Sequence, residues 1–261
     1  YEKLTSLIKS SGYKEIDLLI LPETAINFKA EELNNNDHKN NFGLDYIKNI
    51  IIGSIRTSKE GRDIKIFNSM YLITSNTKNN LYHDKLKLVP FGEYIPFRKI
   101  INIKKLTSGS LDFTKGDNPK TFAISPKIKI LPLICYEVIF PNLISSLKSN
   151  YNLIVNITND AWYKKSSGPY QHLSHSRIRA VMEGVTLIRA ANTGISGVIG
   201  PNGKILKKLG LGQAGIIDYR LNVNSIKTVY SVYRDKVFYL IMLTLFALIC
   251  ISFFYNNKQV K

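Results

Sequence analysis

Two cysteines, Cys135 and Cys250, are all that 261 residues contain, and so few exclude a disulfide framework as the source of stability. Acidic residues are also scarce: 19 Asp and Glu stand against 36 Lys and Arg, a net charge of +17. Such a surface carries a positive field suited to nucleic acid or anionic lipid. No helix-turn-helix spacing, RNP-like aromatic pair or zinc-finger spacing accompanies it, so nucleic acid is set aside. An abundance of Lys, Asn and Ile accounts for much of the charge without any partner. There is no internal repeat, no low-complexity tract and no Gly-x-Ser-x-Gly elbow of a serine hydrolase. His172 and His175 have no third ligand at a recognisable spacing and read as one face of a helix; no metal or other cofactor is expected.

What is present is ample for a core, with 44% hydrophobic residues. Short apolar runs recur between turn signals: DLLILPE, NIIIGSIR, SMYLITSN, KIKILPLICYE and YNLIVNITND read as strands. QHLSHSRIRAVMEGVTLIRAAN, residues 171–192, reads as one helix closing near Asn192, and GISGVIGPNGKILKK as a hairpin turning at Pro201-Asn202-Gly203. Together these predict an α/β domain. Residues 237–254, VFYLIMLTLFALICISFF, carry no charge. As a helix they span roughly 27 Å, enough to cross a bilayer, and Tyr230, Tyr233, Tyr239 and Tyr255 near the ends fit an aromatic belt. The opening YEKLTSLIKSSGYKEIDLLI starts in what reads as the middle of an amphipathic helix, so a longer parent protein is expected.

Three of the apolar runs bring chemistry to their ends. DLLILPE ends in Glu23, KIKILPLICYE reaches Cys135 and Glu137, and YHDKLKLVPFGE carries Lys85, Lys87 and Glu93. Residues just past buried strands converge on one rim of a layered α/β fold. If they meet, a carboxylate takes the thiol proton and an ammonium favours the thiolate. The ammonium, with the backbone N–H after the nucleophile, can also hold a tetrahedral oxyanion. Each residue by itself equally fits a solvated glutamate, a surface lysine or a packed cysteine.

Taken together, LPETAINF, YHDKLKLVPFGEYIPF, LICYEVIFP, ITNDAWY, SGPYQH and RAANTGISGVIGPNG resemble the carbon-nitrogen hydrolase (nitrilase) superfamily. Within it they look most like the membrane-bound branch that completes bacterial lipoproteins. The resemblance runs from about Asp17 through the C-terminal helix. It implies a four-layer α-β-β-α sandwich followed by a transmembrane helix. The expected units are an N-terminally incomplete catalytic domain over 1–222, a juxtamembrane linker over 223–236, the membrane helix over 237–254 and a basic tail over 255–261.

Carried over residue by residue, the resemblance puts the general base on Glu23, the lysine on Lys85 and the nucleophile on Cys135, with Glu93, Tyr136 and Glu137 in support. Lys85 rather than Lys87 stands three residues before the Leu of LVPFGE. The implied reaction is ping-pong. Cys135 takes an acyl chain from a membrane phospholipid as a thioester, and the α-amino group of a diacylglyceryl-cysteine at a lipoprotein N-terminus accepts it. The implied location is the bacterial inner membrane, multi-pass in the full-length protein, with the catalytic domain on the periplasmic face.

In FGEYIPFRKIINIKK, Phe91, Tyr94, Ile95 and Phe97 would dip into the lipid interface while Arg98, Lys99, Lys104 and Lys105 meet anionic head groups. The same stretch reads equally as an ordinary amphipathic loop. Trp162 either lines an acyl pocket or packs under the NDAW turn. Lys164 stands where the branch commonly has Gly, and the N-terminal membrane helices and a first strand of the branch are missing before Tyr1. An amidase of the same superfamily and an inactive truncated remnant are the alternatives.

Overall fold

A computed structural model of the chain describes residues 6–8, 16–26, 30, 47–61, 63–74, 81–97, 112–147 and 150–259. Two sheets form from the apolar runs. The first holds β1 (Leu19–Ile20), β2 (Asn49–Glu60), β3 (Asp63–Thr74) and β4 (Leu81–Asp84) in that order. The second holds β5 (Phe122–Ser125), β6 (Ile128–Ile134), β7 (Leu153–Asn159), β8 (Thr186–Asn192), β9 (Ser196–Ile199) and β10 (Ile205–Leu209), again in chain order. β6, β7 and β8 run parallel at its centre, and antiparallel strands flank them on both sides.

Alternation along the strands builds the layers, because successive side chains point to opposite faces. Ile51, Met70 and Leu72 of the first sheet meet Ile130, Ile134, Leu153, Val155 and Ile157 of the second in one buried cluster between the sheets. The intervening Ile50, Ile52, Tyr71 and Ile73 pack on the outer side with Ile8, Ala30 and Ile47. On the far side Leu131, Leu133, Ile154 and Leu187 pack against Val138, Ile144, Leu173 and Ala180. Each fully buried side chain of this kind contributes about 1.5–3 kcal/mol. The architecture is the nitrilase-like α-β-β-α sandwich, followed by an apolar C-terminal helix.

β2 and β3 are longer than the apolar runs that mark them, pairing from Asn49 opposite Thr74 out to Glu60 opposite Asp63. Their polar ends project beyond the core and turn at Gly61, which has a φ of 62°. The segment 171–192, expected as one helix, is two elements. Helix α1 spans Gly168–Glu183 and ends where Gly184 adopts a φ of 66° and donates its N–H to the carbonyls of Ala180 and Val181. The β-rich TLIRAAN that follows is β8, paired in parallel with β7 from Leu153–Thr186 to Asn159–Asn192. A left-handed glycine just past the last helical turn is the stop signal.

Gly184 is also a joint. Its carbonyl accepts the N–H of Ile226 at 2.7 Å, and Val185 bridges to Ser225. A Cβ on Gly184 would lie 1.9 Å from the Ile226 carbonyl oxygen. Gly184→Ala is therefore expected to destabilise the domain by at least about 1–2 kcal/mol from the backbone alone, more as Ile226 is displaced, and the midpoint of thermal unfolding checks it. Helix α2 (Val229–Tyr233) follows, capped by Thr228, and Arg234 places its guanidinium 2.7 and 2.8 Å from the two oxygens of Glu183.

Helix α3 (Lys236–Gln259) then leaves the domain. Over Lys236–Phe253 its mean hydropathy is 2.3 and none of that window is buried. Among the described residues it is the one helix long and apolar enough to cross a membrane.

Candidate active site

The carboxyl ends of β1, β4, β6 and β7 gather the polar residues. Cys135 follows Ile134 directly, at the first position of a short 3₁₀ turn, Cys135–Ile139. It is buried and has a φ of 54°, a conformation that costs a non-glycine residue about 1–3 kcal/mol. The surroundings hold it there. Its carbonyl oxygen accepts Asn156 Nδ2–H at 3.0 Å and lies 3.2 Å from His172 Nε2. Its thiol contacts the Thr158 hydroxyl. Burial first, and then the Glu23 carboxylate, push the thiol pKa up to about 12 against the pull of Lys85 and Thr158. Cys135 is accordingly a thiol at rest, and an attack by it needs a base at hand.

Glu23, just past β1, faces it. Glu23 Oε1 accepts Asn68 Nδ2–H at 2.7 Å and lies 3.5 Å from Lys85 Nζ; Oε2 accepts the N–H of Asn159 at 2.8 Å. Lys85 is fully buried and donates to Glu93 Oε1 at 2.9 Å. Burial opposes its charge, but Glu23, the Cys135 site and Glu93 outweigh burial and hold the ammonium protonated. Asn68 donates to Glu93 as well, at 2.9 Å, so one amide and one ammonium tie the two carboxylates together. Gly53 makes the approach possible, since a Cβ there would lie 2.7 Å from Glu23 Cα.

Glu137 works on backbone. It accepts the N–H groups of Leu86 at 2.5 Å, Lys87 at 3.1 Å and Ile134 at 2.8 Å, and so braces the Lys85 loop against the strand end that carries Cys135. Its described hydrogen bonds go to backbone and reach neither the ammonium nor the thiol. Tyr136 donates its hydroxyl to the Leu88 carbonyl at 2.6 Å and sets its ring 5.6 Å from Lys85 Nζ. Glu23, Lys85, Glu93, Cys135 and Glu137 thus lie together in one buried cluster, with the half-buried Tyr136 beside them. Lys87 is exposed, with its ammonium over the Phe140 ring.

Other expectations fare differently. Trp162 is half exposed, not packed under the NDAW turn. Phe91 and Phe97 are exposed, but Ile95 is buried and turned away from any interface. Arg98, Lys99, Lys104 and Lys105 lie outside the described residues. His172 is buried and contacts Asp160 and the Cys135 carbonyl, and no cluster of metal ligands occurs among the described residues. Asn68, Asn156, Asp160 and Arg189 are buried polar residues that the sequence reading passed over. The signal was there for three of them: Asn68, Asn156 and Arg189 interrupt otherwise apolar strands, where a polar side chain must have a partner.

A buried thiol, carboxylate and ammonium gathered at the rim of two stacked sheets match the arrangement that the sequence resemblance implies. The chain belongs to the carbon-nitrogen hydrolase family, whose model matches residues 45–230. Its curated relatives are more particular. It is 45% identical over 169 residues to the apolipoprotein N-acyltransferase of Rickettsia prowazekii, covering 64% of this chain and 34% of that protein. It is 34% identical over 242 residues to the apolipoprotein N-acyltransferase of Rhizobium rhizogenes, covering 89% of this chain and 44% of that one. This chain therefore spans less than half the length of these relatives. Among solved structures, a carbon-nitrogen hydrolase from Helicobacter pylori G27 matches with a TM-score of 0.57 at 14% identity, over 82% of this chain and 80% of that one. At that identity the likeness speaks for the fold alone.

Proposed function

We propose that this chain is the catalytic portion of an apolipoprotein N-acyltransferase, in which Glu23, Lys85 and Cys135 carry the chemistry. The observation that favours acyl transfer at a membrane over a plain amidase is α3, a wholly exposed apolar helix that leaves the domain from the Glu183–Arg234 joint.

In the first half-reaction Cys135 Sγ attacks the ester carbonyl of a phospholipid acyl chain while Glu23 takes the thiol proton. Lys85 Nζ and the N–H of Tyr136 receive the oxyanion. The ester C–O bond breaks, Glu23 returns the proton to the leaving alkoxide, and a lysophospholipid departs. The thioester is then attacked by the α-amino group of an N-terminal diacylglyceryl-cysteine. Glu23 takes the amine proton, the C–S bond breaks, and the proton returns to Cys135. Glu93 and Asn68 keep Glu23 and Lys85 in register through both steps. The same reading puts the catalytic domain on the periplasmic face of the bacterial inner membrane.

Intact mass of the full-length protein in phospholipid vesicles tests this. The expected result is one acyl chain added, removable by hydroxylamine and absent from Cys135→Ala. A folded protein that gains no such adduct yet hydrolyses short amides would overturn it in favour of an amidase.

A further inference from the structure

His172 has no part in the reaction above, yet it is buried with both ring nitrogens engaged. Nε2 lies 3.2 Å from the carbonyl oxygen of Cys135. Nδ1 lies 2.9 Å from Asp160 Oδ1 and 3.0 Å from Arg189 Nη2. Arg189 also donates to Asp160 Oδ2 at 2.7 Å and to Asn156 Oδ1 at 2.5 Å, and Asn156 donates onward to the Cys135 carbonyl. Thr158 donates to Asp160 Oδ1 at 3.2 Å. These buried groups form one connected network, anchored to the carbonyls of Leu133 and Ile195, in which His172 and Asn156 meet on the Cys135 carbonyl oxygen.

The proton on His172 can be placed. Burial foremost holds its pKa below the ordinary range, so the ring is neutral and has one N–H. With that hydrogen on Nδ1, Asp160 Oδ1 receives it, but the Nε2 lone pair would face the Cys135 oxygen and the N–H would crowd an Arg189 donor. With it on Nε2, the Cys135 carbonyl receives a hydrogen bond and Nδ1 accepts one from Arg189; Asp160 Oδ1 then faces the Nδ1 lone pair, with Thr158 donating to that oxygen and Arg189 offsetting the charge through Oδ2. The second arrangement satisfies two contacts where the first satisfies one.

That carbonyl shares a peptide plane with the N–H of Tyr136. The bond is trans, so the N–H points opposite to the C=O, and pinning the oxygen fixes the direction of the hydrogen. Two donors on the oxygen also polarise the same amide. We infer that His172, set by Arg189, which Asp160 holds in turn, is a positioning residue that together with Asn156 aims the Tyr136 N–H at the oxyanion. It acts through the peptide plane and not on the thiol. Gly194 belongs to the device, since a Cβ there would lie 2.1 Å from Asp160 Oδ2.

This rests on the acyl-transfer reading only for the oxyanion, and its test is independent of phospholipid. Cys135 is acylated with p-nitrophenyl butyrate, which passes through an oxyanion, and alkylated with iodoacetamide, which does not. His172→Gln keeps an N–H near the Nε2 position and His172→Asn does not. The expected result is an acylation rate about 10²-fold lower in His172→Asn, largely restored in His172→Gln, with alkylation rates alike in all three proteins below their thermal midpoints. Equal acylation in His172→Asn and wild type overturns the inference. So does a parallel fall of acylation and alkylation, which marks a structural role. If wild type accepts the activated ester but never a phospholipid acyl chain, the proposed function fails while this inference stands.

Discussion

Replacing Glu23 by Gln is expected to slow acylation of Cys135 by about 10²–10⁴-fold, the usual loss when a positioned base is removed, while making the thiol easier to ionise. The two effects have opposite signs because Glu23 does two things. Its charge is, after burial, the next cause of the thiol pKa near 12; without that charge the pKa falls. Iodoacetamide alkylation at pH 9 should therefore be faster in Glu23→Gln than in wild type, although acyl transfer is nearly lost. A merely structural glutamate would not separate the two rates.

The substitution is not sterically innocent. Both carboxylate oxygens of Glu23 face donors, from Asn68, Lys85 and Asn159, so a Gln amide must turn its NH₂ toward one of them. In wild type the alkylation rate should keep rising with pH to about 12. The sign of the linked stability follows. The unfolded thiol, with its ordinary pKa of 9.0, loses its proton first, so this residue's contribution to stability declines between pH 9 and 12 and is complete below 9.

Lys85→Met is expected to be the most damaging substitution for the fold as well as for the chemistry. The ammonium lies 2.9 Å from Glu93 and 3.5 Å from Glu23, all three side chains nearly inaccessible to water. Removing it leaves two buried carboxylates joined only by the Asn68 amide, and breaking a buried pair in this way costs about 3–5 kcal/mol. The loss of one oxyanion donor is worth a further 10²–10³-fold or so in acylation rate. Thermal unfolding and the p-nitrophenyl ester rate measure the two separately. A Lys85→Met protein with a wild-type midpoint would mean that Glu23 and Glu93 are not held by the charge between them.

The strands at the site were legible because an apolar run that stops at polar residues is a local pattern. β6 stops at Ile134 with Cys135 next, and β7 stops at Asn159 with Asp160 next. The error over residues 171–192 has a local cause too. Helical and strand periods both fit an apolar run of that length, and Gly184, the residue that divides them, reads as a tolerable glycine unless its positive φ is known. β4 and β5 are too short for a pattern to mark, and they exist through pairing with β3 and β6.

By itself the sequence determined which side chains are available for chemistry, the α/β class and the apolar helix after residue 236, since these depend on residue type and on spacing within one element. Only the tertiary structure decided what each carboxylate does. Glu23, Glu93 and Glu137 all follow apolar or loop segments and look alike in the chain. In the fold the first accepts from Asn68 and from the Asn159 N–H beside Lys85, the second clasps the ammonium and the third braces three backbone N–H groups. Glu23 and Cys135 come from strands of different sheets, and the Asp160–His172–Arg189 network joins a turn, a helix and a strand. Contacts of that range are set by how two layers stack and by which face each strand presents, and neither is encoded in any window of residues short enough to read.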